Sequence, residues 1–352
     1  MDNTALNSNN PTQNILTRIK AQLQSPEIPP DLKEKLQTRL ERLEKVMVSS
    51  GFQLEFEKEL AFLDFNSSLP FGKCSEDILD LHRAAEILEQ HHYGLKSVKE
   101  RILEYLSVLI LNKRKGQKMP SQILVLVGLV GSGKTSLAYS VAEALGRKIV
   151  RIPFGGLGSV RELKGESRIK PEAEPGRLMK TIHDLGVNNP VVLLDEIDRV
   201  AQETRADIMG VLVELLDPEQ NFAFLDHYVD YPFDLSRVLF IATANNLSNV
   251  ATAVMDRLEV IEMPGYSDEE KITIGRDYLL PKALKEAGLE GGVMLIEESL
   301  WPQVVRPLGF DAGIRSLQRN IQGIVRKIAR QVVEGASGPY KLTADNIGQY
   351  IG

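Results

Sequence analysis

One eight-residue segment has the residue types and spacing of a loop that binds phosphate groups. Gly128-Leu129-Val130-Gly131-Ser132-Gly133-Lys134-Thr135 fits the pattern G-x-x-x-x-G-K-[S/T]. It lies between a predicted strand at 123–127 and a predicted helix at 136–145, which is the context that this pattern requires. Its glycines let backbone N–H groups converge on phosphate oxygens, and the helix N-terminus adds the positive end of its dipole. The segment therefore predicts a nucleotide site rather than a chance glycine-rich turn.

Two side chains of this loop and two acidic residues further along the chain could act on a bound nucleotide. Lys134 would reach the β- and γ-phosphates, and Thr135 would offer its hydroxyl to Mg²⁺. Four apolar residues at 191–194 precede Asp195 and Glu196, so a buried strand would carry both acids to the edge where open α/β sheets bind ligands. Asp195 could hold Mg²⁺ largely through water, and Glu196 could polarise an attacking water. The alternative is a pair of exposed acids that cap a strand.

The hydrophobic pattern predicts the elements that position these residues. Near-continuous apolar segments predict five strands, separated mostly by helical stretches, at 123–127, 148–152, 191–194, 238–243 and 259–262. Such strands alternating with helices indicate a parallel sheet covered on both faces. The predicted fold class is therefore α/β, with a phosphate-loop domain whose five-stranded parallel sheet lies between helices. A helical segment precedes this domain, and an all-helical lid follows it.

This pattern divides the chain into four parts. Residues 1–14 are rich in Asn, Ser, Thr and Gln and predict a disordered leader. Leucines at helical spacing predict a helical segment over 15–75, with a break between Ser25 and Pro30. The α/β nucleotide-binding domain is expected over 76–265 and the helical lid over 266–352.

Composition argues against several functional classes. The chain has 352 residues with 42 basic and 48 acidic side chains, and this net charge of −6 argues against a dedicated nucleic-acid binder. No apolar run approaches the roughly 20 residues that span a bilayer, and the polar N-terminus does not have the pattern of a secretory signal. Cys74 is the single cysteine, and the five histidines never have a zinc-type spacing. We therefore expect a cytoplasmic protein without nucleic-acid or membrane partners.

The sequence resembles the AAA+ ATPases and, within them, the Lon protease family. The resemblance extends from about residue 26 to residue 352, and long collinear runs carry it: 92–95, 98–106, 189–198, 214–221, 240–247 and 256–261. It implies that ATP and Mg²⁺ are the ligands and that the chain forms a homo-oligomeric ring, typically a hexamer. It also implies that the ring hydrolyses ATP and acts on protein substrates.

The resemblance assigns roles to three further residues. Asn245 resembles sensor 1, whose amide orients the water beside the γ-phosphate, although a strand-end Asn that forms a turn is the alternative. Arg257 matches the arginine finger, which acts on the nucleotide of the next subunit; the alternative is an ion pair with Asp256 or Glu259. Arg315 resembles sensor 2, which reaches the γ-phosphate from the lid of the same subunit.

The resemblance also outlines the rest of the nucleotide site. The phosphate loop with its following residue, Ser136, corresponds to the family's segment that surrounds the phosphates. Tyr93 and Gly94 resemble the loop beside the adenine, and Tyr278 is a further candidate from the lid.

The sequence departs from the family pattern in three places. The family's pore loop carries an aromatic and an aliphatic residue that grip a threaded polypeptide, whereas Lys170 and Pro171 occupy that position here. Leu129 and Val130 stand where the family usually has two prolines, which leaves the backbone N–H groups and Lys134 in place. The serine–lysine peptidase domain and most of the family's N-terminal domain have no counterpart in the sequence. We therefore expect no intrinsic peptidase activity from this chain.

Three functions are compatible with these features. The favoured hypothesis is a Lon-type ring ATPase that acts on protein partners or regulates a separate peptidase. The second is a nucleotide-gated scaffold, which binds ATP and assembles but threads no polypeptide. The third is the ATPase portion of a Lon protease whose peptidase lies elsewhere. A DNA-remodelling ATPase is the least favoured, because of the acidic net charge.

Overall fold

The computed structural model describes residues 11–46, 53–116, 123–289, 292–306, 313–336 and 338–351. Its strands, in chain order, are β1 (Ile123–Gly128), β2 (Ile149–Pro153), β3 (Val191–Asp195), β4 (Phe224–Asp226), β5 (Tyr231–Phe233), β6 (Leu239–Ala244), β7 (Leu258–Met263), β8 (Met294–Ile296) and β9 (Tyr340–Leu342). Five of them form a parallel sheet in the order β2-β3-β6-β1-β7. These are the five predicted strands, each shifted by at most one residue at either end.

The helices, in chain order, are α1 (Pro11–Gln22), α2 (Pro30–Val46), α3 (Gln53–Ser68), α4 (Leu81–His91), α5 (Lys96–Arg114), α6 (Lys134–Leu145), α7 (Arg161–Lys164), α8 (Arg177–Leu185), α9 (Arg205–Leu216), α10 (Thr252–Met255), α11 (Asp268–Ile274), α12 (Leu280–Glu286), α13 (Trp301–Val305), α14 (Arg315–Val333) and α15 (Ile347–Tyr350). A π-helical turn, Gly275–Leu279, joins α11 to α12. In the part of the chain that is described, no helix combines the length and the apolar character needed to cross a bilayer.

Both faces of the sheet are covered, because side chains alternate along each strand. Leu124 and Leu126 of β1 pack into one buried cluster with α4, α5 and α6. Ile123 and Val125 pack into the other, with α8 and α9. The α/β architecture is therefore as the sequence predicts. Because all five strands are parallel, the segments that follow β1, β3 and β6 meet at a single edge of the sheet.

The N-terminal helices pack onto the second of these clusters. Leu63 of α3 is fully buried there, and Phe62 meets Tyr228 edge-to-face with ring centroids 5.9 Å apart. Helix α1 begins at Pro11, so residues 11–14 are helical and not part of a disordered leader; proline is well tolerated in a first helical turn. Residues 1–10 of that predicted leader lie outside the described residues.

The lid is a helical domain with its own core. The largest of its fully buried side chains is Trp301, which packs with α12 and α14. Its helical character is as predicted, but β8 and β9 add a short parallel pair, with Met294 opposite Tyr340. Three-residue strands are too short to show an alternating pattern, which is why the sequence predicted helices alone.

Candidate active site

A cavity of about 850 Å³ lies between the carboxyl edge of the sheet and the lid. Most of the residues singled out from the sequence line it: Tyr93, Val130, Gly131, Gly133, Lys134, Thr135, Ser136, Asp195, Glu196, Asn245, Tyr278 and Arg315. The predicted residues Gly94, Leu129 and Ser132 lie in the adjoining loops and Gly128 ends β1, and none of the four is part of the lining. Arg257 lies elsewhere, as described below.

The lid rests directly on the phosphate loop. Gly131 has φ +83°, a conformation that costs glycine little, and its carbonyl accepts a 3.1 Å hydrogen bond from the backbone N–H of Ile314. Gly313 is so close that a Cβ built there would lie 2.2 Å from the carbonyl oxygen of Val130. The same contact places Arg315, the first residue of α14, at the cavity wall.

Lys134 begins helix α6 and is held by backbone and side-chain oxygens. Its Nζ donates to the carbonyls of Gly128 (2.6 Å) and Leu129 (3.0 Å) and to Oδ1 of Asn245 (3.2 Å). Burial lowers the pKa of the Lys134 amine, and nearby carboxylates, with Asp198 the strongest, oppose that shift. The amine is therefore already at the centre of the loop, where phosphate oxygens could replace its present partners.

Asp195 ends β3 with its carboxylate buried and each of its oxygens engaged. Oδ1 accepts a hydrogen bond from the Thr243 hydroxyl and lies 3.5 Å from Oγ1 of Thr135. Oδ2 accepts a 2.6 Å hydrogen bond from Nε of Arg151. The described residues contain no group of three or more acidic, His or Cys side chains able to enclose a metal. A hydroxyl and one carboxylate suit Mg²⁺, which keeps several waters and takes substrate phosphates as ligands.

Glu196 follows Asp195 in a left-handed conformation, with φ +57° and ψ +52°. Its N–H donates to Oγ1 of Thr243 (2.9 Å), which fixes this unusual turn. Its carboxylate lines the cavity, and Oε1 lies 3.8 Å from Nε of Arg199. A non-glycine residue in this region of φ/ψ space is strained, and strain of this kind concentrates at functional sites.

Asn245 follows β6 and has a donor without a partner. Its Oδ1 accepts from Lys134, whereas its Nδ2 is buried with no hydrogen-bond partner among the described residues. A buried amide donor left unsatisfied costs free energy, so a bound group that accepts from it would be stabilised. This is the geometry expected of a residue that orients a ligand oxygen or a water.

Arg257 lies at the opposite edge of the sheet from the cavity. It directly precedes β7, whose first residue, Leu258, pairs with Ile123 at the start of β1. The phosphate loop begins at the other end of β1, five residues and about 16 Å from Ile123. Its guanidinium donates to Asp217 (2.7 Å) and to the carbonyl of Ala253 (2.7 Å). The observed partner is thus Asp217, not the flanking acids considered from the sequence. Arg257 is out of reach of the cavity in its own chain.

Part of the cavity lining is aromatic. Tyr93 and Tyr278 face each other with ring centroids 6.4 Å apart, and Gly94, at φ +66°, forms the turn behind Tyr93. The neighbouring His92 is buried and shares a 2.9 Å hydrogen bond with the hydroxyl of Ser140. Burial, with a contribution from the adjacent histidine, lowers the pKa of His92 to about 4, so its imidazole is neutral at pH 7.

Sequence reasoning missed several residues that shape the site. Thr243 links Asp195 to the backbone of Glu196, and Arg151 holds the second oxygen of Asp195. Tyr266 donates from its hydroxyl to the carbonyl of Ser132 (3.2 Å), which ties the start of the lid to the loop. Only Arg151 left a signal, as a charged residue between apolar residues inside a predicted strand.

Two family models match this chain. The family model for the "ATPase family associated with various cellular activities (AAA)" matches residues 124–266. The model for the "Lon protease AAA+ ATPase lid domain" matches residues 285–340. The first match covers the five-stranded sheet, from the second residue of β1, together with the phosphate loop, and the second covers most of the helical lid.

Curated relatives match over almost the entire chain. It is 41% identical over 338 residues to the Lon protease of Lawsonia intracellularis, covering 96% of this chain and 40% of that protein. It is 41% identical over 349 residues to Lon protease 2 of Herpetosiphon aurantiacus, covering 99% of this chain and 42% of that protein. The Lon protease of Desulforamulus reducens is 43% identical over 324 residues, which is 92% of this chain and 39% of that protein. The chain thus spans about 40% of the length of these relatives. With its AAA domain, its Lon lid domain and this level of identity, the chain belongs to the AAA+ ATPases as an ATPase module of the Lon family.

Proposed function

We propose that the chain binds Mg²⁺ and ATP in the cavity and hydrolyses the bond between the β- and γ-phosphates, which releases ADP and phosphate. It does so in an assembly that completes each site with Arg257 of a neighbouring copy. The observation that carries this proposal is the division of the site between two edges of one sheet. Lys134, Thr135, Asp195 and Glu196 meet at the carboxyl edge, whereas Arg257 stands at the other.

Each side chain has a task that follows from its position. Lys134 and the N-terminus of α6 provide positive charge and N–H donors for the phosphates. Thr135 and Asp195 would hold Mg²⁺, which when bound neutralises charge on the phosphates. Glu196 would accept a proton from the attacking water, and the free Nδ2 of Asn245 would donate to that water or to a γ-phosphate oxygen.

The position of Arg257 supports assembly. Charge develops on the γ-phosphate during transfer, and an arginine supplied by another subunit can raise the rate by several powers of ten. Asp217 holds the guanidinium at the surface, with the Arg257 side chain 28% exposed. We therefore propose a homo-oligomeric ring, with six subunits by resemblance to the family.

The test is ATP turnover as a function of protein concentration, with Glu196→Gln as the inactive variant. Glu203→Gln, which removes an exposed acid from the following loop, is the matched control and should behave as the unmodified chain. Turnover per subunit should rise steeply with concentration and be lost only in Glu196→Gln. A specific activity independent of concentration would contradict the shared site.

The second candidate function is a nucleotide-gated scaffold. Its support comes from the loop at the pore position, where Lys170 pairs with Glu166 and Arg168 donates to Glu59 of α3 (3.0 Å). No described aromatic residue stands there, and the large apolar side chain of the loop is Ile169, which is 94% exposed. A scaffold would bind ATP tightly and assemble without turnover at any concentration.

The relatives are named proteases, and we propose that hydrolysis here serves work on polypeptides. A peptidase in the same protein or on a separate chain could use that work. If so, a chemically unfolded protein should stimulate ATP turnover, and the same protein in its folded form should not. Lys170→Tyr should increase the stimulation, because an aromatic ring provides an apolar grip.

A further inference from the structure

The carboxylate of Asp195 is shared between two kinds of partner. Its Oδ1 faces hydroxyl groups, those of Thr243 and Thr135, whereas its Oδ2 is held by the guanidinium of Arg151. The Asp195 side chain is 5% exposed and the Arg151 side chain 49% exposed, so the ion pair joins a buried carboxylate to a half-exposed guanidinium.

The sheet itself positions Arg151. It lies on β2, the edge strand, opposite Leu193 of β3, and Pro153 two residues later is opposite Asp195. The Arg151 side chain therefore extends parallel to β3, over the distance from Leu193 to Asp195, to reach the carboxylate. Arg151 is the one charged residue of β2 and is exposed, so the ion pair with Asp195, rather than burial, is the contact that the structure gives its guanidinium.

The charge of Arg151 affects how Asp195 can bind a cation. Asp195 is followed directly by Glu196, and Asp198 is also buried nearby. The Lys134 amine lies close to these carboxylates and balances part of their charge. Without Arg151, the negative charge left on Asp195 would favour a divalent cation there whether or not a nucleotide is present. With Arg151, the charge of Asp195 is already balanced, and only Oδ1 remains beside Thr135.

We propose that Arg151 is a positioning residue that makes metal capture at Asp195 depend on nucleotide. The guanidinium holds Oδ2 and neutralises the carboxylate, so a divalent cation is bound well only when phosphate oxygens supply further negative charge and ligands. This inference rests on the proposed nucleotide site but not on hydrolysis.

The experiment measures Mn²⁺ binding to the nucleotide-free protein by electron paramagnetic resonance, and the affinity for a fluorescent ATP analogue with Mg²⁺ or with EDTA. Arg151→Gln should bind Mn²⁺ about tenfold more tightly, a modest gain because the half-exposed charge that it removes is screened by solvent. The gain should disappear in Arg151→Gln combined with Asp195→Asn. The ratio of analogue affinity with Mg²⁺ to analogue affinity with EDTA should also be smaller in Arg151→Gln than in the unmodified chain.

Lys148→Gln is the matched control, because it removes one exposed cation just before the same strand, from a side chain that donates to the Leu185 carbonyl rather than to a carboxylate. It should leave Mn²⁺ binding unchanged. Arg151→Lys keeps the charge and should bind Mn²⁺ as the unmodified chain does. If Arg151→Gln does not fold, Arg151→Met retains the alkyl stem and takes its place.

Two results would overturn the inference. One is a Mn²⁺ affinity that is unchanged in Arg151→Gln. The other is a Mn²⁺ affinity that rises equally in Arg151→Lys and Arg151→Gln, because the charge of residue 151 would then not matter. Absence of analogue binding by the unmodified chain would instead contradict the proposed nucleotide site, so the two failures are distinguishable.

Discussion

Replacing Gly313 with alanine should separate the lid from the phosphate loop without unfolding either. The new Cβ would lie 2.2 Å from the carbonyl oxygen of Val130 and 3.0 Å from Cα of Gly131, both backbone atoms that cannot rotate away. The lid must therefore move by about 1 Å, which also stretches the hydrogen bond from Ile314 to Gly131.

The expected loss of ATP affinity follows from two free-energy contributions. An overpacked contact costs about 1–3 kcal/mol, and a lost backbone hydrogen bond costs about 1 kcal/mol. If the closed lid is needed for tight binding, a shift of about 2–4 kcal/mol toward the open lid weakens apparent ATP affinity roughly 30- to 900-fold.

The assay is equilibrium binding of a fluorescent ATP analogue, with circular dichroism to check folding. Gly323→Ala is the control, because Gly323 lies within α14 and a Cβ there meets nothing within 4 Å. That change should stabilise α14 by about 0.5–1 kcal/mol and leave binding unchanged. If folded Gly313→Ala binds the analogue as the unmodified chain does, the contact between lid and loop has no part in binding.

Three further predictions concern the site and its surroundings. Lys134→Ala should abolish analogue binding, because no other amine occupies the loop; retained binding would contradict its role. Arg257→Ala should keep binding and lose turnover by at least about a hundredfold, measured by phosphate release. The pKa of His92 is about 4 when folded and 6.5 when unfolded, so the unfolded chain takes up the proton first as the pH falls. Between pH 7 and 5 the unmodified chain should therefore lose about 2 kcal/mol more stability in urea unfolding than His92→Gln, and an equal loss would refute the buried neutral imidazole.

The elements that carry the site were predictable because their signals are local. The apolar run before Asp195 specifies a buried strand, and the glycines before Lys134 specify a turn into a helix. Parallel pairing then requires the ends of β1, β3 and β6 to meet, which brings Lys134, Asp195 and Asn245 together.

The supporting contacts were not predictable, because they join residues that are far apart in sequence. Thr243 reaches Asp195 across 48 positions and Asp217 reaches Arg257 across 40, and neither pairing follows from a periodic pattern. The same holds for Arg168, whose guanidinium lies 3.9 Å from the ring centroid of Phe62 in α3. Tertiary packing alone decides such contacts.

The shared site is tested most directly by mixing two inactive variants. Arg257→Ala retains Glu196 in its own cavity, and Glu196→Gln retains Arg257 for its neighbour, so each supplies what the other lacks. In a random equimolar ring, about one quarter of the interfaces would combine an intact cavity with an intact arginine, and turnover should recover to about that fraction. Mixtures as inactive as either variant alone, under conditions where rings form, would contradict the account.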